Sequence, residues 1–193
     1  MPFTISVGTN APHFSLPGVD GATHELQDFQ DAAVLVVVFT CNHCHYAYGM
    51  DDRLNEYASR MHDRGVAVVA INSNDTANHP DDSFDDMIVQ HAAKGLVFPY
   101  LRDESQAVAR AYGALKTPHF FVFDRDRRLR YTGRFDDNPR DAAKATTRDL
   151  AAAVDAILAG ENVAVPLTNP IGCNVKWRGQ DEHWMPAEAC DLV

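Results

Sequence analysis

Long apolar runs, cysteine and positive charge are all scarce in this sequence, and each shortage removes a class of protein. No stretch approaches the roughly 18–20 apolar residues that a helix needs to cross a bilayer, so no membrane span is expected. Pro2 to Gly18, behind Met1, lacks the apolar core of a secretory leader, and a cytoplasmic location is the expectation. Lys and Arg number 17 against 27 Asp and Glu, a formal net charge of −10. Polyanions would be repelled, which argues against nucleic acid as a partner. The cluster Arg125-Asp126-Arg127-Arg128-Leu129-Arg130 includes an acid and reads as a solvated turn. Four cysteines in 193 residues are too few for a disulfide scaffold, so chemistry is the better reason for them. With 46% hydrophobic residues and no repeat or linker, residues 1–193 read as one domain. Its core runs over about 7–160, and the proline-bearing 161–193 segment is expected to wrap it as a tail.

What is present is an α/β pattern. Ala11 to Gly21 reads as a short strand and then a turn at Asp20-Gly21, and Thr23 to Leu26 suits the return strand of an N-terminal hairpin. Ala33 to Phe39 is a continuous apolar run, as expected of a central strand buried on both faces. Ala47, Met50, Leu54, Tyr57, Ala58 and Met61 then recur at helical spacing up to Gly65. Val66 to Ile71 is a second apolar strand, and strand–helix–strand of this length predicts a parallel pair. Helices are expected over Asp81 to Lys94, about Glu104 to Tyr112, and Asp141 to Ala159. His119 to Phe123 and Leu129 to Phe135 read as an antiparallel pair.

Chemistry concentrates at Cys41-Asn42-His43-Cys44, where the central strand meets a helix. Thiol–disulfide exchange needs a thiolate, and free N–H groups at a helix start favour that anion. Chain position suggests Cys41 as the exposed attacking thiol and Cys44, one turn in, as the thiol that resolves the mixed disulfide. His43, if protonated, would lower the Cys41 pKa below neutral and make the pair more oxidising, with Asn42 the other modulating neighbour. A zinc knuckle completed by His43, His45, His79 or Cys173 is disfavoured, because neighbours such as Cys44 and His45 converge poorly on one ion and no second close pair exists. No metal and no cofactor is expected.

The strand, the Cys-x-x-Cys pair at a helix start, the βα unit, Thr117-Pro118 ahead of a strand pair and the final helix together resemble the thioredoxin-like superfamily. Four further pieces narrow this to its redoxin branch, the alkyl hydroperoxide reductase and thiol-specific antioxidant group. They are Ala11-Pro12-x-Phe14-x-Leu16 with Asp20-Gly21; Phe39-Thr40-Cys41-Asn42-His43-Cys44; Tyr131-x-Gly133-Arg134-x-Asp136-Asp137; and Ile171-Gly172-Cys173-Asn174-Val175-Lys176-Trp177. The resemblance spans roughly residues 7 to 178 and points to a peroxiredoxin-like subfamily with a thioredoxin-type pair. It implies a thioredoxin-like fold, a central mixed sheet flanked by helices. It also implies a cis Thr117-Pro118 bond facing the cysteines, and a Thr117 backbone that contacts the substrate chain. Cys173 is a possible third thiol if the tail folds back.

Two enzyme readings follow. The first is a thiol–disulfide oxidoreductase acting on disulfide-containing proteins or small disulfides. The second is a thiol-dependent peroxidase with Cys41 as peroxidatic cysteine and a hydroperoxide as substrate. Peroxiredoxins carry a threonine three residues before that cysteine and a proline four before that; these positions are Val38 and Val34 here. Their arginine is also missing ahead of His119, although Arg134 is a candidate to replace it. This favours exchange. Thioredoxin itself places a buried aspartate six residues before the pair, and here that position is Leu35. The group that takes up the proton is therefore not evident. Outside catalysis, a non-catalytic interaction module is the remaining reading. The oligomeric state is left open.

Overall fold

The structure is a computed structural model that describes residues 3–192, with side chains up to Ala189. Its central sheet holds β3 (Val34–Phe39) between β4 (Val66–Asn72) and β7 (His119–Phe123). β5 (Tyr100–Arg102) lies outside β4 and β8 (Leu129–Gly133) outside β7. β3 runs parallel to β4 and antiparallel to β7, so the sheet is mixed as expected. β1 (Ser15–Pro17) and β2 (Thr23–Glu25) form the N-terminal hairpin.

Strand periodicity divides the core between the two faces. Val34, Val36 and Val38 face Leu54, Met61, Leu150 and Val154. These belong to α2 (Asp51–His62) and α5 (Asp149–Leu158). Leu35, Val37 and Phe39 face Tyr112, Phe121, Phe123 and, from the tail, Val175 and Trp177. Each fully buried Val, Leu or Phe contributes about 1.5–3 kcal/mol, so β3 is firmly anchored on both faces of the sheet. Its carboxyl end is the rigid point from which Cys41 projects.

Several elements differ from the sequence expectation. The helix after the cysteines is broken: α1 (His45–Tyr48) stops at Gly49, and α2 starts afresh at Asp51. The 81–94 segment is a 3-10 turn, Pro80–Asp82, followed by α3 (Phe84–Lys94), for which the Ser83 hydroxyl accepts from the Asp86 N–H. α4 (Ala107–Tyr112) is shorter than expected, and β5 was not foreseen. α5 starts eight residues later than the composition suggests. Asp137 accepts from the N–H groups of both Thr146 and Thr147, holding that stretch out of a helix. The tail is tied down. Leu167 bridges to Thr132, and β9 (Cys173–Asn174) pairs antiparallel with β6 (Lys116–Thr117). Among the described residues no helix is long and apolar enough to cross a membrane.

Candidate active site

Cys41 leaves the end of β3, and Cys44 is the cap residue of α1. The Cys41 thiol donates to Thr117 Oγ1 at 3.2 Å, and the Cys44 thiol donates to the Thr117 carbonyl at 3.2 Å. The Thr117-Pro118 bond is cis. Cys41, Cys44 and Ala47 form one small cluster, with Tyr46 and Cys173 packed on it. The structure thus brings together Cys41, Asn42, His43, Cys44, Thr117, Pro118 and Cys173. The side chain of Cys190 lies outside the described set. Arg134 is held elsewhere, its Nε donating to Asp149 at 2.8 Å.

Sequence reasoning missed Asp82, a fully buried carboxylate beneath the cysteine loop. Its Oδ1 accepts from the Asn42 N–H at 2.6 Å and from Asn72 Nδ2 at 3.1 Å. Its Oδ2 accepts from His43 Nδ1 at 2.5 Å and from Asn74 Nδ2 at 3.0 Å. Tyr100 adds a donor to Asn42 Oδ1 at 2.9 Å, and Asn42 Nδ2 donates to the Asp81 carbonyl at 2.7 Å. His43 stacks on His79 with ring centres 4.1 Å apart. Burial alone would raise the Asp82 pKa, but hydrogen bonds from His43 and Asn74 and the His43 charge overcome it and leave the pKa below the usual carboxylate value. The sequence signal for Asp82 was present but ambiguous, because Asp81-Asp82 reads as acids in a first helical turn.

Cys41 Sγ, a His43 ring nitrogen and an Asp82 oxygen lie within 4.8 Å of one another, a donor set that a metal ion could use. Both Asp82 oxygens are already fully used by hydrogen-bond donors, one of them His43 Nδ1 itself. The trio is wired as a carboxylate–imidazole pair under a thiol.

This wiring corrects two expectations. Cys41 is not the more exposed thiol, since Cys41 and Cys44 are each 1% accessible. Nor does His43 lower the Cys41 pKa, because Asp82 sits against it and offsets its charge. Burial pushes the Cys41 thiol well up, and the Cys44 and Asp82 charges push it further. Cys44 goes the other way. The Cys173 and Cys41 thiols and the Ala47 N–H favour its thiolate against the effect of burial. These influences favour the Cys44 thiolate over the Cys41 thiolate, and the Cys44-to-Thr117 hydrogen bond belongs to the protonated form.

The Thr117 backbone, expected to face a substrate, is already in use: it pairs with Cys173 of the chain's own tail. The sheet order, the cis Thr117-Pro118 bond and the cysteine pair at the end of β3 make this a thioredoxin-like fold. A hypothetical protein from Sinorhizobium meliloti 1021 shares it at 43% identity, covering 92% of this chain and 97% of that one with a TM-score of 0.86. A thiol:disulfide interchange protein of Chlorobium tepidum shares the fold at 18% identity, covering 80% and 99% with a TM-score of 0.61. Thiol-disulfide oxidoreductase ResA of Bacillus thuringiensis subsp. konkukian is 25% identical over 126 residues, 63% of this chain and 66% of ResA, so the match spans just under two thirds of that curated relative. Residues 7–132 match the AhpC/TSA family, and the chain belongs to that family.

Proposed function

We propose that the protein is a thiol–disulfide oxidoreductase that cycles Cys41 and Cys44 between dithiol and disulfide, with disulfide-containing proteins or small disulfides as substrates. The observation that carries this is the placement of both sulfurs 3.2 Å from Thr117, over a buried carboxylate network. Reduction of a substrate disulfide proceeds by attack of a thiolate on one substrate sulfur. The other substrate sulfur leaves as a thiolate, which takes a proton from water. The remaining cysteine of the pair then attacks the mixed disulfide, releasing the second thiol and closing Cys41–Cys44. The name of ResA supports the reading.

Hydrogen bonding and charge favour Cys44 over Cys41 as the thiol that ionises first, out of the protonated geometry in which Cys44 donates to the Thr117 carbonyl. Asp82 and His43 act through the loop they hold, fixing Asn42 between the two cysteines. Peroxide chemistry lacks its helpers: Val34 and Val38 are buried and apolar, and Arg134 is paired with Asp149.

Insulin reduction with dithiothreitol as donor tests the proposal. The wild type should accelerate it, and Cys41→Ser and Cys44→Ser should not. Indistinguishable rates for all three would leave a non-catalytic interaction module as the better reading. The ultraviolet absorbance of the thiolate should persist near neutral pH in Cys41→Ser and vanish in Cys44→Ser. The reverse pattern would restore Cys41 as the ionised thiol. Hydroperoxide consumption should stay in the range of ordinary free thiols.

A further inference from the structure

The strand edge beside Pro118 is filled by the chain itself. β9 pairs with β6 in the register Lys116↔Asn174 and Thr117↔Cys173, and the Val175 N–H donates to the Leu115 carbonyl at 3.1 Å. The approach is close enough to require glycine at 172, where a Cβ would lie 2.2 Å from the Thr117 carbonyl oxygen. Beyond the strand, Val175 and Trp177 are buried in the core. The Lys176 carbonyl accepts from Gln106 Nε2 at 2.7 Å, and the Arg178 N–H donates to Gln106 Oε1 at 2.9 Å. These contacts fix Cys173 against the Cys41–Cys44–Ala47 cluster. Cys173 is a third thiol in direct reach of the pair, and exchange within the pair does not use it.

We propose that Cys173 is a third redox thiol, which attacks Cys44 in the Cys41–Cys44 disulfide to form Cys44–Cys173 and release Cys41. The step rests on the exchange reading above. In it the Cys173 thiolate forms a bond to the Cys44 sulfur, the Cys41–Cys44 bond breaks, and Cys41 leaves as a thiolate that takes up the proton Cys173 gave up. One disulfide is present before and after, so no oxidant or reductant is consumed. The two electrons given up when the pair first closed have already gone to the substrate disulfide.

The electrostatics set the order of events. In the reduced protein the hydrogen bond to Cys44, burial and the Cys44 charge hold the Cys173 thiol up, while Lys176 and Lys116 pull it down. Once Cys44 is in a disulfide its charge is gone, and the two lysines are left opposed by burial alone, which moves Cys173 toward the thiolate. Cys173 thus ionises more readily when the pair is oxidised than when it is reduced.

The test is a time course on the full chain. The protein is oxidised with glutathione disulfide, quenched by alkylation at intervals, digested without reduction and mapped by mass spectrometry. Cys41–Cys44 should appear first. Cys44–Cys173 should then grow at constant total free thiol, with Cys173 becoming protected as Cys41 becomes alkylatable. A Cys44–Cys173 fraction below about one in a hundred of the oxidised protein overturns the proposal, because the exchange equilibrium would then exclude it. A Cys41–Cys173 link in its place also overturns it. In Cys41→Ser, glutathione disulfide should yield the Cys44–Cys173 link. A stable glutathione adduct on Cys44 with Cys173 free counts against the proposal. Cys190→Ser should leave the map unchanged. A wild-type pair that never oxidises overturns the exchange reading itself, and this inference with it. That outcome is distinct from a Cys41–Cys44 disulfide that forms and stays.

Discussion

Two parts of the molecule are equally buried and opposite in chemistry. β3 from Val34 to Phe39 is six apolar residues in a row, shielded on both faces of the sheet. Just past the carboxyl ends of the strands, Asn72, Ser73, Asn74, Asp82, Asp103 and Gln106 are as fully shielded. Shape and volume suffice for the first group. The second survives burial only because its donors meet acceptors: Ser73 Oγ donates to Asp103 Oδ2 at 2.9 Å, and Gln106 Nε2 to the Ser73 carbonyl at 2.7 Å. The apolar half should therefore tolerate change in kind. The polar half should tolerate almost none, because each lost partner strands another group.

The largest effect is expected at Asp82. Asp82→Ala leaves the Asn42 N–H, His43, Asn72 and Asn74 without their acceptor and should cost about 3–5 kcal/mol in urea unfolding. A loss under about 1 kcal/mol would break the comparison, since that is the scale of an ordinary exposed contact. Asp82 also has a sign in pH. Its folded pKa is depressed, so its contribution is present above the unfolded value of 3.8 and fades only as pH falls below it.

Next comes His119, buried against the Phe121 ring with Nδ1 accepting from the Leu115 N–H and Nε2 donating to Thr132 Oγ1. Burial pushes its pKa from 6.5 down to about 3. The unfolded chain then binds the extra proton between those values, so stability falls as pH drops through that window. By pH 4 the loss should be roughly 3 kcal/mol, most of it accrued before the Asp82 contribution begins to fade near 3.8. In His119→Gln this loss should be missing, so the stability gap to wild type should narrow by that amount between pH 7 and pH 4. A gap that stays constant would show that His119 does not couple to acid.

The smallest effect belongs to the apolar side. Leu35→Met, a near volume-conserving swap, should cost less than about 1.5 kcal/mol. Asp82→Asn, equally conservative in shape, turns an amide N–H₂ toward existing donors and should cost more than Leu35→Met. Equal losses for the two would dissolve the contrast.

The same contrast governs what could be read from the sequence. Val34 to Phe39 and Val66 to Ile71 declare themselves because an unbroken apolar run has few other uses, and the Cys41–Cys44 spacing declares the pair. Asp82 does not, because its burial depends on Asn42, Asn72 and Asn74, which arrive from separate segments. β5 is three residues behind Pro99, too short to show a period. The late start of α5 depends on Asp137 capturing two N–H groups, a choice made by local hydrogen bonding against good helical composition. In the sequence His43 stands beside the cysteines, and only the fold brings Asp82 against it.

The tail is fastened on both sides of Cys173, by Thr168 against Tyr131 at 2.6 Å upstream and by Trp177 in the core downstream. A tethered nucleophile acts at an effective molarity that can exceed any free reactant, with well-oriented intramolecular cases reaching 10⁵ M or more on the order-of-magnitude scale. A small thiol at cellular concentration cannot compete with that. An outside partner joined to Cys44 should then be expelled quickly by a thiol already in place, leaving mixed disulfides on this sulfur short-lived. To hold a partner long enough to identify it, Cys173 must be removed along with Cys41.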